Sequence, residues 1–118
     1  MLQSWYNNIG WELKETSLPT DTTYILEVDN IPVLSACLFL MNCKDASMVE
    51  NVIGNPEYKE LRKGKLPLLI NHLENEAKNL GYNTLVIFSF EDKVKSIYEN
   101  LGFKKTLENV TTFAKEIR

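Results

Sequence analysis

Few side chains in this sequence could carry proton transfer: Tyr98, Glu50 and the single histidine, His72, with Cys37 and Cys43 as the only thiols. Glu50 interrupts the β-rich run Ala46-Ser47-Met48-Val49-Glu50-Asn51-Val52-Ile53. A carboxylate there reads either as a general base or as an exposed strand position. Tyr98 shares a helical stripe with Val94, Ile97 and Leu101. Its ring reads either as core with the hydroxyl at the edge, or as a proton donor, since a phenol titrates near ~10. His72 falls on the polar flank of a helix and reads as surface. Cys37 belongs to an apolar run and reads as inert core. Cys43 lies in a polar turn, and the pair matches no metal spacing. A further charge feature is the segment 59–65, Lys-Glu-Leu-Arg-Lys-Gly-Lys, with net charge +3 in a chain of net charge −3. It suits phosphate groups, or is a solvated surface loop.

The elements that must position these residues can be read from hydrophobic period. Trp5, Ile9, Trp11 and Leu13 are apolar at mostly alternating spacing, which predicts a strand near 9–16. Tyr24-Ile25-Leu26-Glu27-Val28 and Val33 to Met41 flank the polar turn Asp29-Asn30 and predict a hairpin. The second run is apolar on both faces, so it should be a central strand. Residues 46–53 predict the next strand, ended by Gly54-Asn55-Pro56. From Leu66 the period becomes 3.6: Leu66, Leu69, Ile70, Leu73, Ala77 and Leu80 form one stripe, with Pro67 in the first turn and Gly81 past the end. Tyr82 to Phe88 reads as a buried strand. Ser89 with Asp92 reads as a capping box opening a second helix, which Gly102 ends. Short strands near 103–107 and 110–117 complete the chain. A helix joining two neighbouring strands of one sheet forces that pair to be parallel. The fold class is therefore α/β or α+β with a mixed, mostly antiparallel sheet and a central parallel pair joined by a crossover helix.

Composition bounds the rest. With 118 residues, 44% hydrophobic and 25% charged, the chain reads as one globular domain over 1–118. No apolar run approaches the roughly 20 residues of a membrane span. An acidic net charge argues against nucleic-acid binding, which depends on neutralising phosphates. Two cysteines and no signal-peptide pattern predict a reduced, cytoplasmic protein.

Ser96-Ile97-Tyr98-Glu99-Asn100-Leu101-Gly102-Phe103 resembles the last motif of the GNAT superfamily of acetyl-CoA-dependent N-acetyltransferases, in which a helix carries Tyr-Glu-x-x-Gly-Phe. Asn55-Pro56-Glu57-Tyr58 resembles that family's turn after its fourth strand, and Asn79-Leu80-Gly81-Tyr82 its entry to the fifth. The similarity covers about residues 22–118, with 1–21 a shortened N-terminal part. The resemblance implies that the strand at 46–53 and the strand after it splay apart, with the pantetheine arm of acetyl-CoA pairing to backbone at Asn51, Val52 and Ile53. It implies a pyrophosphate site at the start of the crossover helix, on Arg62, Lys63, Gly64, Lys65 and Leu66. The loop departs from the family's Gln/Arg-x-x-Gly-x-Gly/Ala pattern. Anchored on Gly64, Leu61 stands at the Gln/Arg position and Leu66 at the last Gly/Ala; alternatively Lys59 takes the Arg role in an expanded loop. Counting back from Tyr98, Glu91 stands where the family often has Asn.

The implied reaction is direct attack of a primary amine, on a small molecule or a protein, in a ternary complex. Tyr98 would be the acid at the leaving thiolate and Glu50 the base. A second reading is an inactive module of the same fold that binds a protein partner. With so short an N-terminal part, the acceptor site is expected to be open or completed by another subunit, as in a homodimer.

Overall fold

The computed structural model describes residues 1–43, 45–88, 92–107 and 111–117. A first helix, α1 (Leu2–Asn8), and a short 3-10 turn (Glu15–Ser17) precede three strands, β1 (Thr23–Val28), β2 (Ile31–Leu40) and β3 (Ser47–Gly54). One helical turn, α2 (Lys59–Arg62), leads into the crossover helix α3 (Leu66–Asn79), then β4 (Leu85–Ile87) and α4 (Asp92–Asn100). The sheet order is β1-β2-β3-β4. The first two pairings are antiparallel, and β3 with β4 is parallel. This is the expected mixed sheet, with the parallel pair joined by α3.

The hairpin follows from its turn. Val28 pairs with Ile31, so only Asp29 and Asn30 form the loop. Both have positive φ, 52° and 66°. This is the mirror-image turn whose twist matches that of paired strands, and Asn and Asp tolerate it.

The two sheet faces carry different helices. Leu34, Ala36 and Leu38 of β2 pack with Leu69, Ile70, Leu73 and Ala77 of α3. Cys37, one residue out of phase, packs with Leu2, Trp5 and Tyr6 of α1. Period 2 along β2 thus sends alternate side chains to opposite layers. Each fully buried leucine contributes roughly 1.5–3 kcal/mol by leaving water.

The predicted strand near 9–16 is not formed. Leu2, Trp5 and Tyr6 share one helical face and are buried, whereas Ile9 and Trp11 are exposed. The helix closes where Gly10 enters the left-handed region at φ 78°. The Trp11 N–H then bonds the Tyr6 carbonyl at 3.0 Å, and their rings stack with centroids 5.9 Å apart. That backbone bond and ring contact are the signature of a glycine-ended helix.

The predicted strands near 103–107 and 110–117 are likewise not formed at the described residues. Leu107, Phe113 and Ile117 are 74%, 94% and 86% exposed. β-rich sequence becomes strand only against a pairing partner, and β4 ends the sheet order at that side. The Ser89 cap and Glu91 lie outside the described residues.

Candidate functional site

β3 changes course at one residue. Ser35 pairs with Ile53 and Cys37 with Glu50, so two steps on β2 face three on β3. The extra residue is a β-bulge, and Asn51 within it has φ 58°. The bulge brings Glu50 and Ile53, three apart, both opposite residues of the α1-facing set on β2. A bulge of this kind adds local bend and twist to the strand that carries it. β4 pairs only with Ser47, Met48 and Val49, and the ladder stops there. Beyond Val49 the edge of β3 has no strand beside it among the described residues.

A cleft of about 840 Å³ occupies that opening. It is lined by Val49, Glu50, Asn51 and Val52 of β3, by Leu66 at the start of α3, and by Phe88, Val94 and Tyr98. Its remaining wall is Gly10, Trp11, Glu12 and Leu13. Glu50 and Tyr98, far apart in the chain, therefore line one cavity. Glu50 is half-buried, and loss of hydration pushes its pKa above the ordinary glutamate value.

Tyr98 is positioned by the end of α4. Gly102 has φ 96°. The Phe103 N–H bonds the Tyr98 carbonyl at 3.1 Å, and the two rings meet edge to face at 6.0 Å. Much of the Tyr-Glu-x-x-Gly-Phe motif is thus a helix-ending device that fixes the tyrosine ring. The ring is buried, with its residue at the cleft wall.

The other sequence candidates lie around this opening. Ile53 is buried in the α1 cluster, and its side chain is outside the lining. Arg62 ends α2, and its guanidinium donates to the Asn55 carbonyl at 3.2 Å. It lies over Gly54, where a Cβ would come within 1.8 Å of its Nη1. Asn55 is itself fixed: its amide donates to the Pro32 carbonyl at 2.8 Å, and its side-chain oxygen accepts the Glu57 N–H at 3.1 Å. Lys63, Gly64 and Lys65 form the turn into α3, outside the cleft lining that begins at Leu66. Lys63 and Lys65 form no ion pair among the described residues. The backbone donors at this helix start are sparse. The Lys65 N–H bonds Arg62, those of Leu68 and Leu69 bond Lys65, and Pro67 has none.

His72 stands on α3 outside the lining, against the ring of Tyr24 and 3.8 Å from Glu76 Oε1. Cys37 is buried beside the Thr23 hydroxyl, and Cys43 is exposed; both are free thiols. Among the described residues no group of three or more His, Cys, Asp or Glu side chains is placed to hold a metal ion. No described helix is long and apolar enough to cross a membrane.

Sequence reasoning missed the wall at residues 10–13. Its signal was present: Leu2, Trp5 and Tyr6 at helical spacing, followed by Gly10 as a helix stop. The segment is clamped. The Gln3 amide nitrogen donates to the Leu13 carbonyl at 2.9 Å, and its oxygen accepts the Glu15 N–H at 2.9 Å. An ordered segment of this same chain thus forms one wall of the cleft.

The sequence matches no protein-family model and has no significant match among curated proteins. Solved structures do match. An acetyltransferase from Trypanosoma brucei is 22% identical, with 78% of this chain and 68% of that chain covered and a TM-score of 0.61. The apo aminoglycoside antibiotic 6'-N-acetyltransferase AAC(6')-IG from Acinetobacter haemolyticus is 22% identical, with coverage of 99% and 93% and a TM-score of 0.60. AAC(6')-Iy in complex with the bisubstrate analog CoA-S-monomethyl-acetylneamine is 19% identical, with coverage of 80% and 69% and a TM-score of 0.58. The mixed sheet, its parallel pair that ends at Val49, and these likenesses together show that the chain has the fold of the GNAT acetyltransferases.

Proposed function

We propose that the protein is an acetyl-CoA-dependent N-acetyltransferase that acetylates a primary amine in a ternary complex. The observation that carries this reading is the cleft where β3 parts from β4, with Glu50 and Tyr98 on its walls. The residues present suit coenzyme A. Val49, Val52, Leu66 and Val94 give an apolar lining for a pantetheine arm, and Asn51 and Val52 lie on the released strand edge. Lys63 and Lys65 would meet the phosphates by charge, with Gly64 and Leu66 beside them, because the backbone donors are few. Arg62 and Ile53 support this site by holding the exit of β3 in place.

Acetyl-CoA supplies the acyl carbon to which the amine bonds as the carbon–sulfur bond breaks. Glu50 takes one proton from the incoming ammonium, directly or through a water. A free amine with a pKa near ~10.4 otherwise holds that proton at neutral pH. Desolvation makes Glu50 a stronger base than an exposed glutamate. Tyr98 holds its phenolic proton for the departing sulfur and regains one from the amide nitrogen. The N–H groups near Val52 would polarise the acyl oxygen. Charge balances, with one proton leaving through Glu50. The free thiols of Cys37 and Cys43 suit a reducing compartment, the cytoplasm.

The test is calorimetric titration with acetyl-CoA followed by a thiol-release assay over a panel of amines. Binding is expected, and Tyr98→Phe should lower kcat about 10-fold or more with KM for acetyl-CoA little changed. Absence of binding at millimolar acetyl-CoA would leave the fold as a partner-binding module without this chemistry.

A further inference from the structure

The charge of the cleft lining is one-sided. Glu12 and Glu50 line it, with no Lys, Arg or His among the described lining residues. Glu50 faces the reacting amine in the mechanism above, which leaves Glu12 unassigned. Glu12 is exposed and forms no ion pair among the described residues. Its neighbour Trp11 is also a wall residue, 40% exposed, and is held by stacking on buried Tyr6. The backbone of this stretch is tied to α1 at both ends. Trp11 bonds Tyr6, while Leu13 and Glu15 bond the Gln3 side chain. Phe88, half exposed, is a second aromatic wall. A carboxylate and an indole on one wall of a cleft suit an organic cation, through ion pairing and attraction to the ring face. Two like charges in one concavity also raise the local concentration of cations.

We propose that the cleft selects a small acceptor carrying at least two ammonium groups, one presented to Glu50 for transfer and another held by Glu12 beside Trp11, a specificity that rests on the acetyl-transfer reading. A monoamine of equal length leaves Glu12 without a partner and gains nothing from Trp11. The acceptor class is therefore a di- or polyamine, and the product keeps one ammonium in the cleft.

The experiment compares 1,4-diaminobutane and spermidine with n-butylamine, by thiol release with acetyl-CoA and by calorimetric titration of each amine into the protein. The expected result is kcat/KM about 10-fold higher for the diamine than for butylamine, with the preference shrinking as salt rises. Glu12→Gln should bring the diamine-to-butylamine ratio close to one in both assays. Equal kcat/KM for the two amines would overturn the acceptor assignment while leaving acetyl transfer intact. No amine-dependent thiol release with any of the amines tested would instead overturn the acetyl-transfer reading. In that case the titration alone decides the cleft's preference: equal affinities, or a diamine preference unchanged in Glu12→Gln, sink it.

Discussion

Replacing Asn51 by valine tests whether the bulge in β3 is strained. Asn51 has φ 58°, a conformation that costs an ordinary L-residue roughly 1–2 kcal/mol. Asparagine tolerates it better than most, and a β-branched residue pays the upper end. The chain could escape by deleting the bulge and sliding β3 by one residue. That slip would turn Ile53, 5% exposed in the α1 cluster, to the other face. Removing a buried isoleucine from its layer costs about 1.5–3 kcal/mol. Staying in the bulge is cheaper, so the penalty appears as lost stability of about 2 kcal/mol rather than as a new register. For a domain of this length that corresponds to a Tm lower by about 5–10 °C. Asn51→Gly meets no such barrier and should stay within about 2 °C of the parent. Thermal unfolding followed by circular dichroism, on the three proteins side by side, reads both numbers. If Asn51→Val melts with the parent, or glycine costs as much as valine, the strained-bulge account is wrong.

Glu50→Gln should separate activity from stability. The folded pKa of Glu50 is raised by desolvation. Its contribution to stability is therefore full below the unfolded glutamate pKa and lost as pH rises through the folded value. At neutral pH the variant should melt at or above the parent temperature, an advantage that vanishes in acid. Its turnover should fall, and the acid limb of the parent's pH–rate profile, set above the ordinary glutamate pKa, should disappear. A variant that keeps that limb would remove Glu50 from the role of base. Tyr6 is 0% exposed, and its hydroxyl has no hydrogen-bond partner among the described residues. Burial first, then the nearby Cys37 and Glu15, push its pKa up to about 12. Removing an unsatisfied buried hydroxyl relieves its desolvation cost, so Tyr6→Phe should stabilise the fold by about 1 kcal/mol in denaturant titration. A loss of that size would reveal a hydrogen bond that the hydroxyl makes.

Features set within a few residues were legible in the sequence. Asp29-Asn30 between two β-rich runs determined a two-residue hairpin because both residues accept positive φ. The stripe from Leu66 to Ala77 determined a crossover helix, and with it a parallel pair, because 3.6-residue spacing is a local property. Gly102 ended α4 and thereby placed Tyr98 against Phe103. The N-terminal helix was legible too, but the alternation of Trp5, Ile9, Trp11 and Leu13 hid its spacing. Other outcomes depended on partners distant in the chain. The strand-like residues 103–107 and 111–117 stay irregular, with no strand paired to them among the described residues. Arg62 turns to the Asn55 carbonyl because Gly54 leaves the space for it. The bulge at Asn51 arises from the register of β3 against β2, and the cleft from the early end of β4. Residue types could nominate Glu50 and Tyr98 for chemistry. Only the packing of α1 and α4 around an interrupted ladder brought them, with Trp11 and Glu12, to one cavity.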